Sequence, residues 1–264
     1  MTQRNAARLC STFALCLGLL PQLGCAASER AEETTQAERV PIVRAAECRW
    51  ASGPIAIDGV NQEAAWQKAQ LLQDFAVYWQ NRKPKTATKA RLLWDDDYLY
   101  FTADMEDSDL YADVKEHNGM CWTNDVFELF FRPDDKKLLY YEFQVNAANT
   151  QLEMVLPSRG AGGYQRFAPN TRLGMESAVK LDGTLNHWQD QDKGWTVEGR
   201  IPWKAFADAG GKPKAGAKWR FNLCRYDYSV AFDRAELSCI APLSYSDFHR
   251  YEDFSVLTFV GAEK

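Results

Sequence analysis

The sequence predicts an all-β protein: an antiparallel β-sandwich of jelly-roll or immunoglobulin-like type, with one or two short helices. Three observations carry this. Apolar and polar residues alternate with period two along most of the chain, turn-forming clusters cut that alternation into short runs, and helical periodicity is confined to two brief stretches. Short strands joined by tight turns bury their apolar faces by packing as two antiparallel layers. The 264 residues are 46% hydrophobic and 25% charged, which excludes a wholly disordered chain and a polytopic membrane protein. The net charge is −5 and no long Lys/Arg run occurs, so a phosphate-binding surface, and nucleic acid with it, is set aside. The unusual feature is the 9 Trp, 11 Tyr and 14 Phe, since flat apolar rings suit stacking on flat apolar ligands. His117, His187 and His249 are the three histidines, which strains any mechanism that needs a histidine cluster.

The elements follow in chain order. Arg4 and Arg8 precede twelve apolar residues, Leu9–Leu20, too few to span a bilayer but suited to the core of a secretory signal. Residues 1–25 read as that signal. Leu23-Gly24-Cys25 resembles the lipobox of bacterial lipoproteins, which would make Cys25 a lipidated membrane tether. Gln22 departs from that pattern, and cleavage after Ala27 is the alternative. An exported chain is expected either way, periplasmic, membrane-anchored or extracellular. Loss of residues 1–24 removes two arginines and no acid, taking the charge from −5 to −7. Residues 26–44 read as a flexible tether, polar and free of aromatics up to Val40. Residues 45–264 are one domain. Its expected strands are Thr88–Trp94, Tyr98–Met105, Asp125–Phe131, Leu138–Ala147, Gln151–Val155, Glu176–Leu181, Trp195–Ile201, Lys218–Tyr226 and Phe254–Val260. Asp95–Asp97 and Pro133–Lys136 are turns between them. Helical signal is limited to Gln62–Ala69 and Trp203–Phe206, and Gly160–Gly163 and Ala209–Gly216 are loops. Cys48, Cys121, Cys224 and Cys239 remain after the leader, as two disulfides in any of three pairings or as four buried thiols.

Alternation sorts side chains onto faces. Phe127, Leu129 and Phe131 oppose Val126, Glu128 and Phe130; Tyr141, Phe143 and Val145 oppose Tyr140, Glu142, Gln144 and Asn146. Gln151 and Glu153 share one side of the next strand, and Glu198, Arg200, Arg220 and Asn222 fall opposite apolar neighbours on later ones. Such a polar face is either ordinary solvated sheet or a lined site. Trp122, at the entrance to the polar ladder, favours the site. A Trp plane covers the C–H face of a pyranose while carboxylates and amides take its hydroxyls.

Six segments in order resemble family 9 carbohydrate-binding modules, within the DOMON-like group. They are Ile57-Asp58-Gly59 with Glu63 and Trp66, Ala90–Tyr100, Trp122–Glu128, Tyr141–Asn146, Trp195–Phe206, and Phe248-His249 through Phe259. The resemblance implies a non-catalytic, monomeric domain that binds sugar ends or glycan chains between two aromatic rings. It implies Trp122 as one ring and Glu128 as hydroxyl acceptor, with Gln144 standing where the family has Arg, and Asn146 beside it. Phe248, with Tyr245 nearby, is the expected second ring, while Asp125 braces a loop. Trp66, Trp94, Trp195, Trp203 and Trp219 are assigned to the core. No cofactor is required. Asp104-x-x-Asp107-x-Asp109 could hold the structural calcium of related modules, but it lacks the Gly and final Glu of an EF-hand loop and reads as a solvated acidic loop. Two other functions compete. A glycoside hydrolase, or a domain associated with one, would need paired carboxylates, for which Glu128 and Glu142 are one choice among many. A haem electron-transfer domain would use Met105, Met120 or Met154 with His117.

Overall fold

A computed structural model describes residues 39–262. The expected signal, Cys25 and the tether through residue 38 lie outside the described residues. Twelve strands form: β1 Ala45–Trp50, β2 Ala76–Val77, β3 Thr88–Trp94, β4 Tyr98–Glu106, β5 Val126–Arg132, β6 Tyr140–Asn146, β7 Gln151–Leu156, β8 Glu176–Asp182, β9 Gly194–Pro202, β10 Lys218–Asp227, β11 Glu236–Cys239 and β12 Ser255–Val260. All nine expected strands are present with ends shifted by a residue or two. β1, β2 and β11 were not expected: β2 and β11 are two and four residues long, and β1 (AAECRW) carries none of the β-branched residues that mark a strand. Helical structure is brief: 3-10 turns at Ala64–Lys68, Cys121–Thr123 and Trp203–Ala209, and one four-residue helix, Tyr164–Phe167.

The strands pair in the order β7-β6-β5-β10-β12-β1-β3-β4-β9-β8, with β11 on β10 and β2 on β11. The expected antiparallel arrangement holds except at β1, which runs parallel to both β12 and β3. That exception joins the two halves into one continuous hydrogen-bonded path. β10 forks, its first half pairing with β12 and its second with β11. Turn chemistry fixes the hairpins: Asp95 accepts from the N–H groups of Asp97 and Tyr98 between β3 and β4, and Asp134 from that of Lys136 between β5 and β6.

The two halves close on a shared aromatic core. Phe101 of β4 stacks on Phe127 of β5, ring centroids 6.4 Å apart, although those strands are not neighbours in the sheet. Gly199 on β9 makes room, because a Cβ there would come within 2.2 Å of the Phe101 ring. Trp94, Trp195, Trp203 and Trp219 all join this core, and Trp66 packs in a separate cluster on the outer face of β3 and β4 with Leu93 and Tyr100. A second cluster covers the other face of β5, β6 and β10, so every residue of β5 and β6 is buried. That corrects the solvated-face alternative: these two strands have no wet side.

Candidate functional site

The covered face of β5 and β6 carries the site. Register sets Glu128 beside Gln144 and Phe130 beside Glu142, with Cys224 of β10 on the other flank of Glu128. Above this face lies a cavity of about 360 Å³ with Glu128, Glu142 and Gln144 among its lining residues. Trp122 reaches it from the Cys121–Thr123 turn, half-buried, its backbone carbonyl accepting from the Tyr228 hydroxyl at 2.9 Å. The Gly160–Gly163 loop follows β7 and places Tyr164 against Trp122, edge to face at 5.0 Å and 76°. His249 closes another side; its Nδ1 lies 2.9 Å from the Tyr140 hydroxyl and 3.9 Å from a Glu142 oxygen. A larger groove of about 570 Å³, near Asn61 and Asp104, offers no comparable platform: Trp195 there is buried in the core, and Asp104 is held by Asn61 and Thr196.

The cavity floor is polar and incompletely bonded. The Gln144 amide nitrogen donates to Oε1 of Glu128 at 2.6 Å and to Oε1 of Glu142 at 2.7 Å. Oε2 of each glutamate and Oε1 of Gln144 are buried without a hydrogen-bond partner. All three residues are at most 2% exposed. Burial, reinforced by the Glu142 charge, pushes the Glu128 carboxyl well above the ordinary range. Burial also raises Glu142, offset in part by His249, Glu128 and Gln144. The two carboxyl groups thus hold protons more tightly than free glutamates do.

The structure brings together Trp122, Glu128 and Gln144. It does not bring in Asn146, Phe248 or Tyr245. Asn146 is consumed by the chain turn after β6: its amide donates to the Val114 carbonyl and to Asn124, and its oxygen accepts from the N–H groups of Ala148 and Thr150. Phe248 is 4% exposed and packs against Tyr78 and Tyr226, so it is core. Tyr245 is 64% exposed and lies outside the cavity lining. On β7 the expected parity is inverted. Leu152 and Met154 are paired with Gln144 and Glu142 on the cavity side, while Glu153 turns away to accept from Leu173 and Met175. Sequence reasoning missed Tyr164, Tyr226, His249, Asp247 and Arg159. Continuing the Arg220–Asn222 alternation along β10 reaches Tyr226; the others sit on loops that carry no periodic signal.

Asp125 braces loops as expected, each carboxylate oxygen accepting one backbone N–H, from Tyr111 and from Tyr228. The acidic run Asp104–Asp109 is not a solvated loop. Asp107 and Asp109 are buried, and Asp109 accepts from Val230 N–H. Asp104 lies elsewhere, so the expected three-residue calcium set does not assemble. Asp107 converges instead with Asp125 and Asp227. Burial, together with the Asp227 charge, raises Asp107 to about 7, and buried Arg225 pairs with both Asp107 and Asp227. Of the six carboxylate oxygens there only Asp227 Oδ1 lacks a partner. Calcium takes six to eight oxygens, so this arginine-paired group does not fit it. Among the described residues Cys48, Cys121, Cys224 and Cys239 are free and buried, which matches the thiol alternative.

Comparison with known proteins now bears on the site. Residues 57–253 match the model of the family described as carbohydrate family 9 binding domain-like. Endo-1,4-beta-xylanase A of Thermotoga maritima is 30% identical over 177 residues, 65% of this chain and 14% of that protein. The Thermotoga neapolitana enzyme of the same name is 28% identical over the same length. This chain therefore spans about a seventh of these relatives. Among solved structures, a family 9 carbohydrate-binding module from Caldicellulosiruptor kristjanssonii in complex with cellotriose aligns with a TM-score of 0.57 at 19% identity, covering 83% of this chain and 95% of that one. A putative carbohydrate-binding protein from Bacteroides uniformis aligns at 0.64 and 16% identity, covering 82% and 99%. At those identities the likeness is one of fold. Family membership rests on the match across residues 57–253: the chain belongs to the carbohydrate family 9 binding domain-like family.

Proposed function

We propose that the Trp122 cavity binds one saccharide residue of a glycan, without catalysis. One observation carries the reading: a half-buried tryptophan stands over a floor of buried carboxylate and amide oxygens that the protein leaves unpartnered. A pyranose supplies both complements, an apolar C–H face for the ring and hydroxyl donors for the oxygens. The family supports this, as do neighbours of the same fold solved with cellotriose and with glucose. Glu128 and Glu142 share one amide donor on a single floor, whereas glycosidases place two carboxylates on either side of the scissile bond. Calorimetric titration of the full chain with glucose, cello-oligosaccharides and xylo-oligosaccharides tests the reading. Saturable binding that Trp122→Ala weakens supports it, and no binding across that set and a wider glycan panel sinks it.

The same proposal extends to architecture and setting. The shared core between β4 and β5 supports a two-layer sandwich as the finer description of the sheet. The twelve-residue apolar core behind Arg4 and Arg8 supports export, and Leu23-Gly24-Cys25 supports a lipid tether for a monomeric binding domain. Intact-mass analysis and light scattering of the cell-derived protein decide both. Retention of residues 1–20 would sink export, a start at Ser28 would sink the tether, and a stable dimer would sink the monomer.

A further inference from the structure

The cavity floor holds two carboxyl groups whose ionised form a neutral sugar does not balance. Three acceptor oxygens, on Glu128, Glu142 and Gln144, lack a hydrogen-bond partner, and each belongs to a residue at least 98% buried. The groups around them do not supply the missing donors. Tyr140 is engaged with His249, and Asp247 adds a further acid to the lining. Arg159, at the mouth, is committed to Glu252 by two hydrogen bonds of 2.7 and 2.8 Å. From β10 and β11 the Cys224 and Cys239 thiols and the Tyr226 ring face the same cluster and carry no positive charge. Among the described residues that line the cavity, His249 is the basic group near the floor, 3.9 Å from Oε2 of Glu142.

We infer that the site prefers a sugar bearing a free ammonium group, a glucosamine-type residue, over its neutral hydroxyl counterpart, the nitrogen entering between Glu128, Glu142 and Gln144. This rests on the saccharide-binding reading above. A hydroxyl brings one donor and needs acceptors satisfied on both sides, whereas an ammonium brings three donors, no acceptor and the missing counter-charge. Desolvation makes that charge count for more than it would in water. Burial raises both carboxyls, so an entering ammonium, which favours their charged forms, shifts the pair toward proton release to solvent. An N-acetylated sugar offers neither the charge nor the three donors and adds bulk at a closed floor.

The test is calorimetric titration of the full chain with β-1,4-linked glucosamine disaccharide, cellobiose and the N-acetylated disaccharide, at about pH 6.5, where an amine of this kind is charged. The expected result is binding of the amino disaccharide about tenfold tighter than cellobiose, as for a charge-assisted hydrogen bond, with the N-acetylated sugar weakest. The binding heat should vary with buffer ionisation enthalpy, reporting proton release. The preference should fall below about twofold at about pH 4, where the carboxyls are neutral, and likewise in Glu142→Gln. The pH arm needs no variant, so it stands even if the substitution impairs folding. Cellobiose bound as tightly as the amino sugar, or tighter, overturns the inference while leaving saccharide binding intact. Failure of all three disaccharides overturns it too, and the wider glycan panel then decides separately whether the saccharide reading survives.

Discussion

Glu198 on β9 and Glu128 on β5 are both buried glutamates on strands, and they do opposite work. Glu198 Oε1 accepts from the Trp66 indole N–H at 2.8 Å, and Oε2 accepts from the Asp58 and Gly59 N–H groups at 3.1 and 3.3 Å. Every donor on that side has an acceptor, and the result is to pin the segment before β2 to the sheet. Glu128 shares one amide with Glu142 and leaves an oxygen bare. A buried polar group without its partner is costly, so a fold retains one where something else supplies the partner. The contrast separates a carboxylate that holds the structure together from one held in readiness for a ligand.

The largest effect should come from breaking the structural member. Glu198→Ala strands three donors, two of them buried, and should cost about 3 kcal/mol in urea unfolding, with glycan affinity unchanged. A loss below about 1 kcal/mol would erase the distinction drawn here. Trp122→Ala should do the reverse: it removes the stacking plane, worth about 2 kcal/mol of binding or roughly thirtyfold, with little change in Tm because the ring is only half-buried. A large fall in Tm with normal binding would make Trp122 a core residue.

Glu128→Gln sharpens the comparison by keeping shape and removing the charge. It should weaken sugar binding about tenfold and leave stability equal or higher, since burial disfavours the charged form of the carboxyl it replaces. Stability should also carry a pH signature. Glu128, Glu142 and Asp107 bind protons more tightly folded than unfolded, Asp107 up to about 7. The native state therefore holds more protons above the unfolded carboxyl range, and their stabilisation is full below about pH 4 and lost as pH rises toward about 7. Urea midpoints at several pH values should fall across that window, with a shallower slope in Glu128→Gln; a midpoint that rises with pH would contradict the burial argument. The smallest effect belongs to Tyr245→Ala, which should change affinity less than about twofold because the ring lies outside the cavity.

How far the sequence reached differs between these regions. Alternation placed Glu128, Glu142 and Gln144 on one face, and the register confirms it, because pleating fixes parity along any continuous strand. The same rule held within β7, Glu153 opposing Leu152 and Met154, but there the apolar pair turns toward the cavity and Glu153 toward the chain at Leu173. Parity within a strand is local, but which parity faces the core depends on where the preceding turn ends, and Asn146 and Asn149 set that turn. Phe248 was misplaced for a related reason. A loop aromatic has no period, and only the packing of Tyr78 and Tyr226 decides that it is core.

The sequence by itself determined the nine main strands, the tryptophans of the core and the shared face of Glu128, Glu142 and Gln144, all of which follow from short-range pattern and composition. Only the tertiary structure decided that β1 runs parallel between β12 and β3, that the second face of β5 and β6 is covered, and that Tyr164 and His249 close the site. It also decided that the Asp107 carboxyl meets the carboxyls of Asp125 and Asp227, and Arg225, rather than those of Asp104 and Asp109. These are contacts between segments far apart in the chain. Their energies come from burial and from the matching of donors to acceptors across the fold, which no local window of residues contains.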